Sequence, residues 1–108
     1  MNYKVEVLPL FEKEAKRLYK KYPSVKKDIS RLISSLEIDP AQGVSLGNGF
    51  YKVRMAISSK GKGKSGGARV ITLVVHISKV IYLASIYDKS DKDSISEAEL
   101  KFIASLIK

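Results

Sequence analysis

The chain has 108 residues, a formal net charge of +9 at pH 7 and no cysteine. This length predicts a single domain spanning residues 1–108, and the absence of cysteine excludes disulfides, thiolate metal sites and cysteine nucleophiles. Residues 1–6 lack the apolar run of a signal peptide, and no segment approaches the roughly 18 apolar residues of a membrane-spanning helix. We therefore expect a cytoplasmic protein with no membrane attachment.

The N-terminal third of the chain predicts a strand followed by two helices. Residues 3–8 alternate between apolar and polar side chains, which is typical of a strand. Apolar residues between positions 11 and 22 recur at helical spacing, so an amphipathic helix is expected to end before Pro23. Ser24 is a predicted N-cap for a second helix that stops at residues 39–40. The short break between the helices predicts an antiparallel helical hairpin.

The remainder predicts three more strands and a final helix. Residues 43–49 contain three glycines and predict a loop, and residues 50–57 alternate again as a strand. Residues 68–77 and 80–87 are near-continuous apolar runs and predict a hairpin of central strands. A capping box beginning at Ser96 opens the last helix, whose predicted apolar stripe is Leu100, Ile103, Leu106 and Ile107. The fold class is therefore α+β, with a small, mainly antiparallel sheet, an N-terminal helical hairpin and a C-terminal helix.

Positive charge is concentrated in the segment between Pro40 and Tyr87. This segment carries seven basic side chains and no acidic one, namely Lys52, Arg54, Lys60, Lys62, Lys64, Arg69 and Lys79. A surface of one sign attracts a polyanion, and nucleic acid is the usual polyanion for a small protein of this kind. The charge distribution predicts RNA or DNA as the ligand.

Arg69 is the most informative of these basic residues, because it enters an apolar strand directly after two glycines. A buried charge without a partner is very costly, so Arg69 needs an anion or a path to water. Guanidinium is planar and bidentate, and Arg69 is therefore a candidate phosphate ligand. The alternative is a structural salt bridge to Asp88 or Glu97. On the preceding strand, alternation places Lys52 and Arg54 on one face.

The end of the last predicted strand supplies Tyr87, Lys89 and Lys92. If the two apolar runs pair as a tight hairpin, Tyr87 and Arg69 lie at the same end of the sheet. A phenol, two lysines and an arginine then converge, although these residues could equally be a strand end with solvated turn charges. His76 lies at the opposite end of the hairpin, and a single histidine excludes a paired-histidine nuclease mechanism.

Metal and cofactor sites are not expected. Gly63-Lys64-Ser65 suggests a P-loop, but Ser58 stands where the motif needs its first glycine, and a strand follows instead of a helix. The basic segment contains no acidic cluster of the two-metal nuclease type.

In order and spacing, these segments resemble the toxins of the RelE/ParE superfamily of bacterial toxin–antitoxin modules, with a RelE-like microbial RNase-type fold. The resemblance rests on Phe50-Tyr-Lys-Val-Arg54, Lys64-Ser-Gly-Gly-Ala-Arg-Val-Ile71 and Leu83-Ala-Ser-Ile-Tyr-Asp-Lys89, set between the helical hairpin and the last helix. The chain departs from the family in having no arginine after Lys79 and in having Ile95 where some members have a tyrosine.

The resemblance implies a metal-independent endoribonuclease that cleaves mRNA, with the ribosome as the expected site of cleavage and an acidic antitoxin as partner. It assigns the catalytic roles to Arg69, Lys52, and Lys89 or Tyr87. Five further basic residues are expected to bind RNA, and these are Arg54, Lys60, Lys62, Lys64 and Lys92.

Because RNA carries its own nucleophile, basic side chains could catalyse its cleavage without a metal ion. The 2′-OH is a built-in nucleophile, so the protein must remove one proton, stabilise charge on the scissile phosphate and help the 5′-oxygen leave. Neighbouring cations favour the neutral form of a lysine, which makes Lys89 the preferred base over Tyr87.

Two other functions remain open on sequence alone. One is inhibition of DNA gyrase, the activity of the other branch of the superfamily. The other is a non-catalytic RNA-binding module, which usually stacks bases on exposed aromatic side chains. Most aromatic residues here are expected to face the core, among them Phe11, Tyr51 and Phe102.

Overall fold

The computed structural model describes residues 3–92 and 94–107. In chain order the elements are β1 (Lys4–Val7), α1 (Pro9–Lys21), α2 (Val25–Ile38), β2 (Val44–Gly47), β3 (Phe50–Met55), a 3-10 turn (Ser58–Lys60), β4 (Ala68–Val75), β5 (Val80–Asp88) and α3 (Glu97–Leu106). The strands form one sheet in the order β1-β5-β4-β3-β2. β1 pairs with β5 in parallel and the other pairs are antiparallel, which confirms the predicted α+β class.

The helical hairpin of α1 and α2 covers one face of the sheet. Helical spacing puts Phe11, Ala15 and Leu18 of α1 on the buried side, and α2 contributes a matching stripe that includes Leu32 and Leu36. These side chains pack against sheet residues in one apolar cluster. Burial of this face is the main stabilisation of the fold.

The opposite face of the sheet is only partly covered, by α3. The predicted capping box is confirmed, because Ser96 accepts from the Glu99 amide and the Glu99 side chain accepts from the Ser96 amide. Ile103 is buried against Phe50 and Ile71, but Leu106 is 45% exposed and Phe102 57% exposed. The predictions that Leu106 and Phe102 face the core are wrong, because this short helix touches the sheet along one narrow line.

Two other local features differ from the sequence predictions. Residues 43–49 do not form a plain loop, because β2 pairs with β3 there as an edge strand. Its side chains are mostly exposed, so backbone hydrogen bonds rather than an apolar pattern define it. Ser24 makes no capping bond to α2, since its hydroxyl donates to Asp28 at 2.8 Å and accepts from the Ser59 amide at 2.8 Å.

An irregularity in β5 decides which side chains share a face. Ile71 pairs with Ser85 and Thr72 pairs with Leu83, so Ala84 is the additional residue of a bulge. Leu83 and Ile86 consequently lie in the cluster under α1 and α2, whereas Ala84 and Tyr87 lie in the cluster under α3.

Candidate active site

The central strands carry a row of polar side chains at one end of the sheet. Arg54 on β3 is in register with Arg69 on β4, and Arg69 is in register with Tyr87 on β5. Lys52, two residues before Arg54, lies on the same face of β3. Directly opposed cross-strand side chains have Cβ atoms about 5 Å apart, and like charges at that distance are destabilising. The sheet therefore carries an electrostatic cost here that a bound anion would offset.

This row opens into a cleft of about 480 Å³ with a strongly basic lining. Five basic side chains line it, and no acidic residue of the described chain does: Lys52, Arg54, Lys64, Arg69 and Lys89. The volume lies within the usual range for ligand sites. The structure thus brings together most of the residues predicted from sequence, from three separate segments.

Arg69 is held by backbone carbonyls. It is 5% exposed and its guanidinium donates to the oxygens of Lys64 at 3.1 Å, Ser65 at 3.1 Å and Ala68 at 3.2 Å. The alternative of a salt bridge to Asp88 or Glu97 is not what the structure shows. Carbonyl dipoles partly compensate the charge of the guanidinium, and two of its five donors lie outside these three bonds. Arg69 forms no ion pair with a carboxylate among the described residues, and an anion in the cleft would supply that counter-charge.

Lys60 does not join the cleft, contrary to its predicted role in RNA binding. Its ammonium forms a buried ion pair with Asp88 at 2.7 Å and also donates to the Gly66 carbonyl at 3.0 Å and the Ser90 hydroxyl at 2.9 Å. The same ammonium lies 5.3 Å from the centre of the Tyr22 ring. These contacts give Lys60 a structural role, and it is not part of the cleft lining.

The Lys60–Asp88 pair shifts the titration of both groups. Burial opposes ionisation of Asp88, but hydrogen bonds from Lys60 and the Ser90 amide outweigh it and leave the pKa of Asp88 below its ordinary value. The hydrogen bond to Asp88 raises the pKa of Lys60, against the opposing effect of burial. Both groups are therefore charged at neutral pH.

The two buried cations hold the loop that follows the 3-10 turn. Lys60 binds the carbonyl of Gly66, and Arg69 binds those of Lys64 and Ser65. Gly67 closes the loop against β3, where a Cβ would lie 2.2 Å from the Met55 oxygen. The loop is thereby fixed so that Lys64 lines the cleft, while Lys62 is exposed and outside the lining.

Of the two predicted proton-transfer residues near the end of β5, Lys89 lines the cleft and Tyr87 does not. Lys89 is exposed and lines the cleft, and its backbone amide donates a hydrogen bond to the Gly67 carbonyl oxygen at 3.1 Å. Tyr87 is 8% exposed, packs in the cluster under α3 and is not part of the cleft lining. Of the two predicted proton-transfer residues, the structure brings only Lys89 into the cleft.

Lys92 is engaged by two neighbours. Its ammonium hydrogen-bonds Glu99 and lies 5.0 Å from the centre of the Tyr87 ring. The hydrogen bond from Lys92, with one from the Ser96 amide, lowers the pKa of Glu99. Lys92 therefore links the start of α3 to the end of β5, at one side of the cleft rather than in it.

Sequence reasoning missed the neutral wall of the cleft, which consists of Gln42, Gly43, Val44, Val53 and Ser94. Gly43 has φ +90°, and a Cβ there would lie 2.3 Å from the Lys52 oxygen. The glycine allows this segment to approach the backbone that carries Lys52. The only sequence signal for this wall of the cleft was that Gly43 lies in a glycine-rich segment.

The described residues contain no group of three histidine, aspartate or glutamate side chains placed to hold a metal ion. His76 is exposed at the opposite end of the sheet, hydrogen-bonded to the Tyr3 hydroxyl at 2.8 Å. Across residues 3–92 and 94–107, no helix is long and apolar enough to cross a membrane.

Comparison with known proteins gives a family match and two structural neighbours. Residues 10–108 match the family model described as the RelE toxin of the RelE/RelB toxin–antitoxin system. The E. coli RelE toxin, as a double arginine-to-alanine mutant in the free state, superposes with a TM-score of 0.63 at 15% identity, covering 98% of this chain and 94% of that one. A crystal structure of the isolated E. coli RelE toxin, in its P21 form, gives 0.61 at 15% identity, covering 97% of this chain and 99% of that one. No match was found among curated proteins.

Proposed function

The chain belongs to the RelE family of toxins of toxin–antitoxin systems, and from this premise we propose that it is a metal-independent endoribonuclease that cleaves mRNA on the ribosome. The basic cleft supports the proposal most strongly. Five cations and no acidic residue of the described chain line it, and two of the cations, Arg54 and Arg69, oppose each other across strands. A bound phosphodiester would stabilise such an arrangement.

In the proposed reaction, Lys89 removes the proton of the 2′-OH and the 2′-oxygen attacks the adjacent phosphorus. The P–O5′ bond then breaks, leaving a 2′,3′-cyclic phosphate on one fragment and a 5′-OH on the other, which takes its proton from a nearby ammonium group or water. Arg69, Arg54 and Lys52 stabilise the charge that grows on the phosphate oxygens. Preorganised donors of this kind are worth about 3 kcal/mol each.

We further propose that the protein acts in the cytoplasm and is neutralised by its cognate antitoxin. An antitoxin segment rich in acidic residues would complement the cleft, because the same cations that bind phosphate attract carboxylates. Occupation of the cleft by that segment would exclude RNA.

Expression in bacteria without the antitoxin tests the proposal. We expect growth arrest together with new cuts within the reading frames of cellular mRNA, and loss of both effects in a soluble Lys52→Ala/Arg54→Ala variant. Growth arrest with intact mRNA and altered DNA supercoiling would favour gyrase inhibition instead. Normal growth with soluble, folded protein would contradict both functions.

A further inference from the structure

A second pocket, of about 230 Å³, adjoins the basic cleft between α2 and the end of β3. The two share three lining residues, Gln42, Arg54 and Lys64, so they form one continuous surface. The second pocket adds Arg31, an exposed residue of α2 that the proposed reaction does not use.

The cations of the second pocket are available to a ligand. Arg31, Arg54 and Lys64 form none of the ion pairs found among the described residues. The one acidic residue of the lining, Asp28, is 5% exposed, and protein donors already occupy both of its oxygens. Its Oδ2 accepts from the Ser24 hydroxyl and the Ser58 amide, and its Oδ1 accepts from the Ser58 hydroxyl at 2.6 Å.

The rest of the pocket suits a nucleobase. Leu32, Met55 and Ala56 supply an apolar surface, and the Gln42 side chain lies at the boundary with the cleft. The Gln42 amide nitrogen donates to the Ser35 hydroxyl at 2.6 Å, which fixes the orientation of a group able to hydrogen-bond a base edge. An apolar floor, an amide and flanking cations together match one nucleotide of a single strand.

We propose that this pocket is a nucleotide subsite next to the scissile phosphate. The phosphate of the neighbouring nucleotide binds Arg31 and Lys64, and its base lies on the apolar floor against Gln42. The proposal rests on the proposed ribonuclease function and adds a binding residue, Arg31, and a base-contacting residue, Gln42.

The salt dependence of RNA binding tests the phosphate contact. The probe is a fluorescent eight-nucleotide RNA with 2′-O-methyl groups throughout, which removes the nucleophile, and its Kd is measured by anisotropy over a series of salt concentrations. Each phosphate contact to a single strand contributes about 0.7 to the slope of log K against log salt. Arg31→Gln should lower the slope by about 0.7 and raise Kd about five-fold at 0.1 M salt.

Lys26→Gln is the matched control, because Lys26 is on the same helix but lines the groove toward α1. It should leave the slope and Kd unchanged. An unchanged slope in Arg31→Gln, or an equal loss in Lys26→Gln, would overturn the proposed subsite.

Gln42→Leu tests the base contact. With probes that vary one base at a time, the wild-type protein should discriminate at least about three-fold at one position, and Gln42→Leu should lose that discrimination without a change in slope. Wild-type binding that is indifferent to the base at every position would overturn the role of Gln42.

Cleavage of mRNA on ribosomes, measured in parallel, separates this inference from the proposed function. Arg31→Gln should raise KM about five-fold with little change in kcat. Absence of cleavage by the wild-type protein would contradict the proposed function itself. Cleavage by Arg31→Gln with wild-type KM would contradict only the subsite.

Discussion

Arg54 and Arg69 oppose each other across β3 and β4, and like charges so opposed are expected to destabilise the fold in the absence of a bound anion. Arg54 is exposed, so replacing it removes the repulsion without leaving a buried group unpaired. Arg54→Gln should therefore raise the free energy of unfolding slightly, by up to about 1 kcal/mol, while lowering kcat/KM about 100-fold. Chemical denaturation and cleavage assays on the same variant check both effects. A less stable but fully active variant would contradict this account of the pair.

Lys60, unlike Arg54, is expected to stabilise the unliganded fold. Its removal would leave the carboxylate of Asp88 buried without its ion-pair partner. Lys60→Met should cost about 3 kcal/mol, at the low end for a broken buried pair because the lysine keeps some contact with solvent. Lys62→Met, two residues away and exposed, should change stability by less than about 0.5 kcal/mol. Urea unfolding measures both. Equal small effects would show that the ion pair contributes little.

The lowered pKa of Asp88 predicts a specific loss of stability in acid. Its folded-state pKa lies below the unfolded value of about 3.9, so the carboxylate contributes its full stabilisation above that value. The contribution is lost as pH falls through the folded-state pKa. Asp88→Asn should therefore flatten the fall of unfolding free energy below about pH 4, whereas Asp91→Asn, at an exposed neighbour, should keep the wild-type slope. An unchanged slope in Asp88→Asn would contradict the assignment.

At the scale of elements, the site depends on the loop between the 3-10 turn and β4. Gly67 lets that loop pass within van der Waals reach of β3, since a Cβ would meet the Met55 oxygen at 2.2 Å and the Ile57 nitrogen at 2.9 Å. Gly67→Ala should force the strands apart there, lower stability by about 2 kcal/mol or more, and reduce cleavage by displacing Lys64 and Arg69.

Gly61→Ala is the control for Gly67→Ala, because it has φ +70° but open space around it. Backbone strain alone should cost it about 1 kcal/mol. Thermal unfolding and cleavage rates distinguish the two variants. Equal effects on cleavage would mean that the loop position does not matter for the chemistry.

Helices and strands whose apolar residues recur at a regular spacing were predictable from the sequence. Features that depend on backbone hydrogen bonding between strands were not. The strand alternation at Lys52 and Arg54 and the buried run beginning at Ala68 place both sides of the cleft from sequence alone. The side chains of β2 are mostly exposed, so its sequence has no apolar pattern typical of a strand. The bulge at Ala84 lies within a continuous apolar run, in which the sequence does not show a change of face. The sequence therefore could not show that Tyr87 packs under α3 while Lys89 lines the cleft.

Charge type alone also could not distinguish the basic residues from one another. Lys60 ends the 3-10 turn and Lys64 lies in the glycine-rich loop that follows it, yet Lys60 pairs with Asp88 and Lys64 lines the cleft. The difference arises from a contact with a residue 28 positions away in the chain. Such long-range pairing is a property of the folded sheet and is not encoded in local sequence.

At the scale of the whole molecule, the sheet explains where part of the positive charge of this chain, whose net charge is +9, is concentrated. Apolar layers bury both faces of the central strands, and five of the chain's 20 basic residues line the cleft at one end of the sheet, between the loop before β4 and the segment after β5. A rigid scaffold behind a basic cleft is what preorganised stabilisation of a phosphate transition state requires.

Analysis of the cleavage products is the most direct test of the central claim that this cleft cleaves RNA through its 2′-OH. An mRNA bound to ribosomes would be incubated with the purified protein, and the ends of the fragments identified by mass spectrometry. We predict a 2′,3′-cyclic phosphate and a 5′-OH, with no cleavage when the nucleotide before the scissile phosphate is 2′-deoxy. Equal cleavage of the 2′-deoxy substrate, or cleavage by Arg54→Gln at the wild-type rate, would contradict the mechanism.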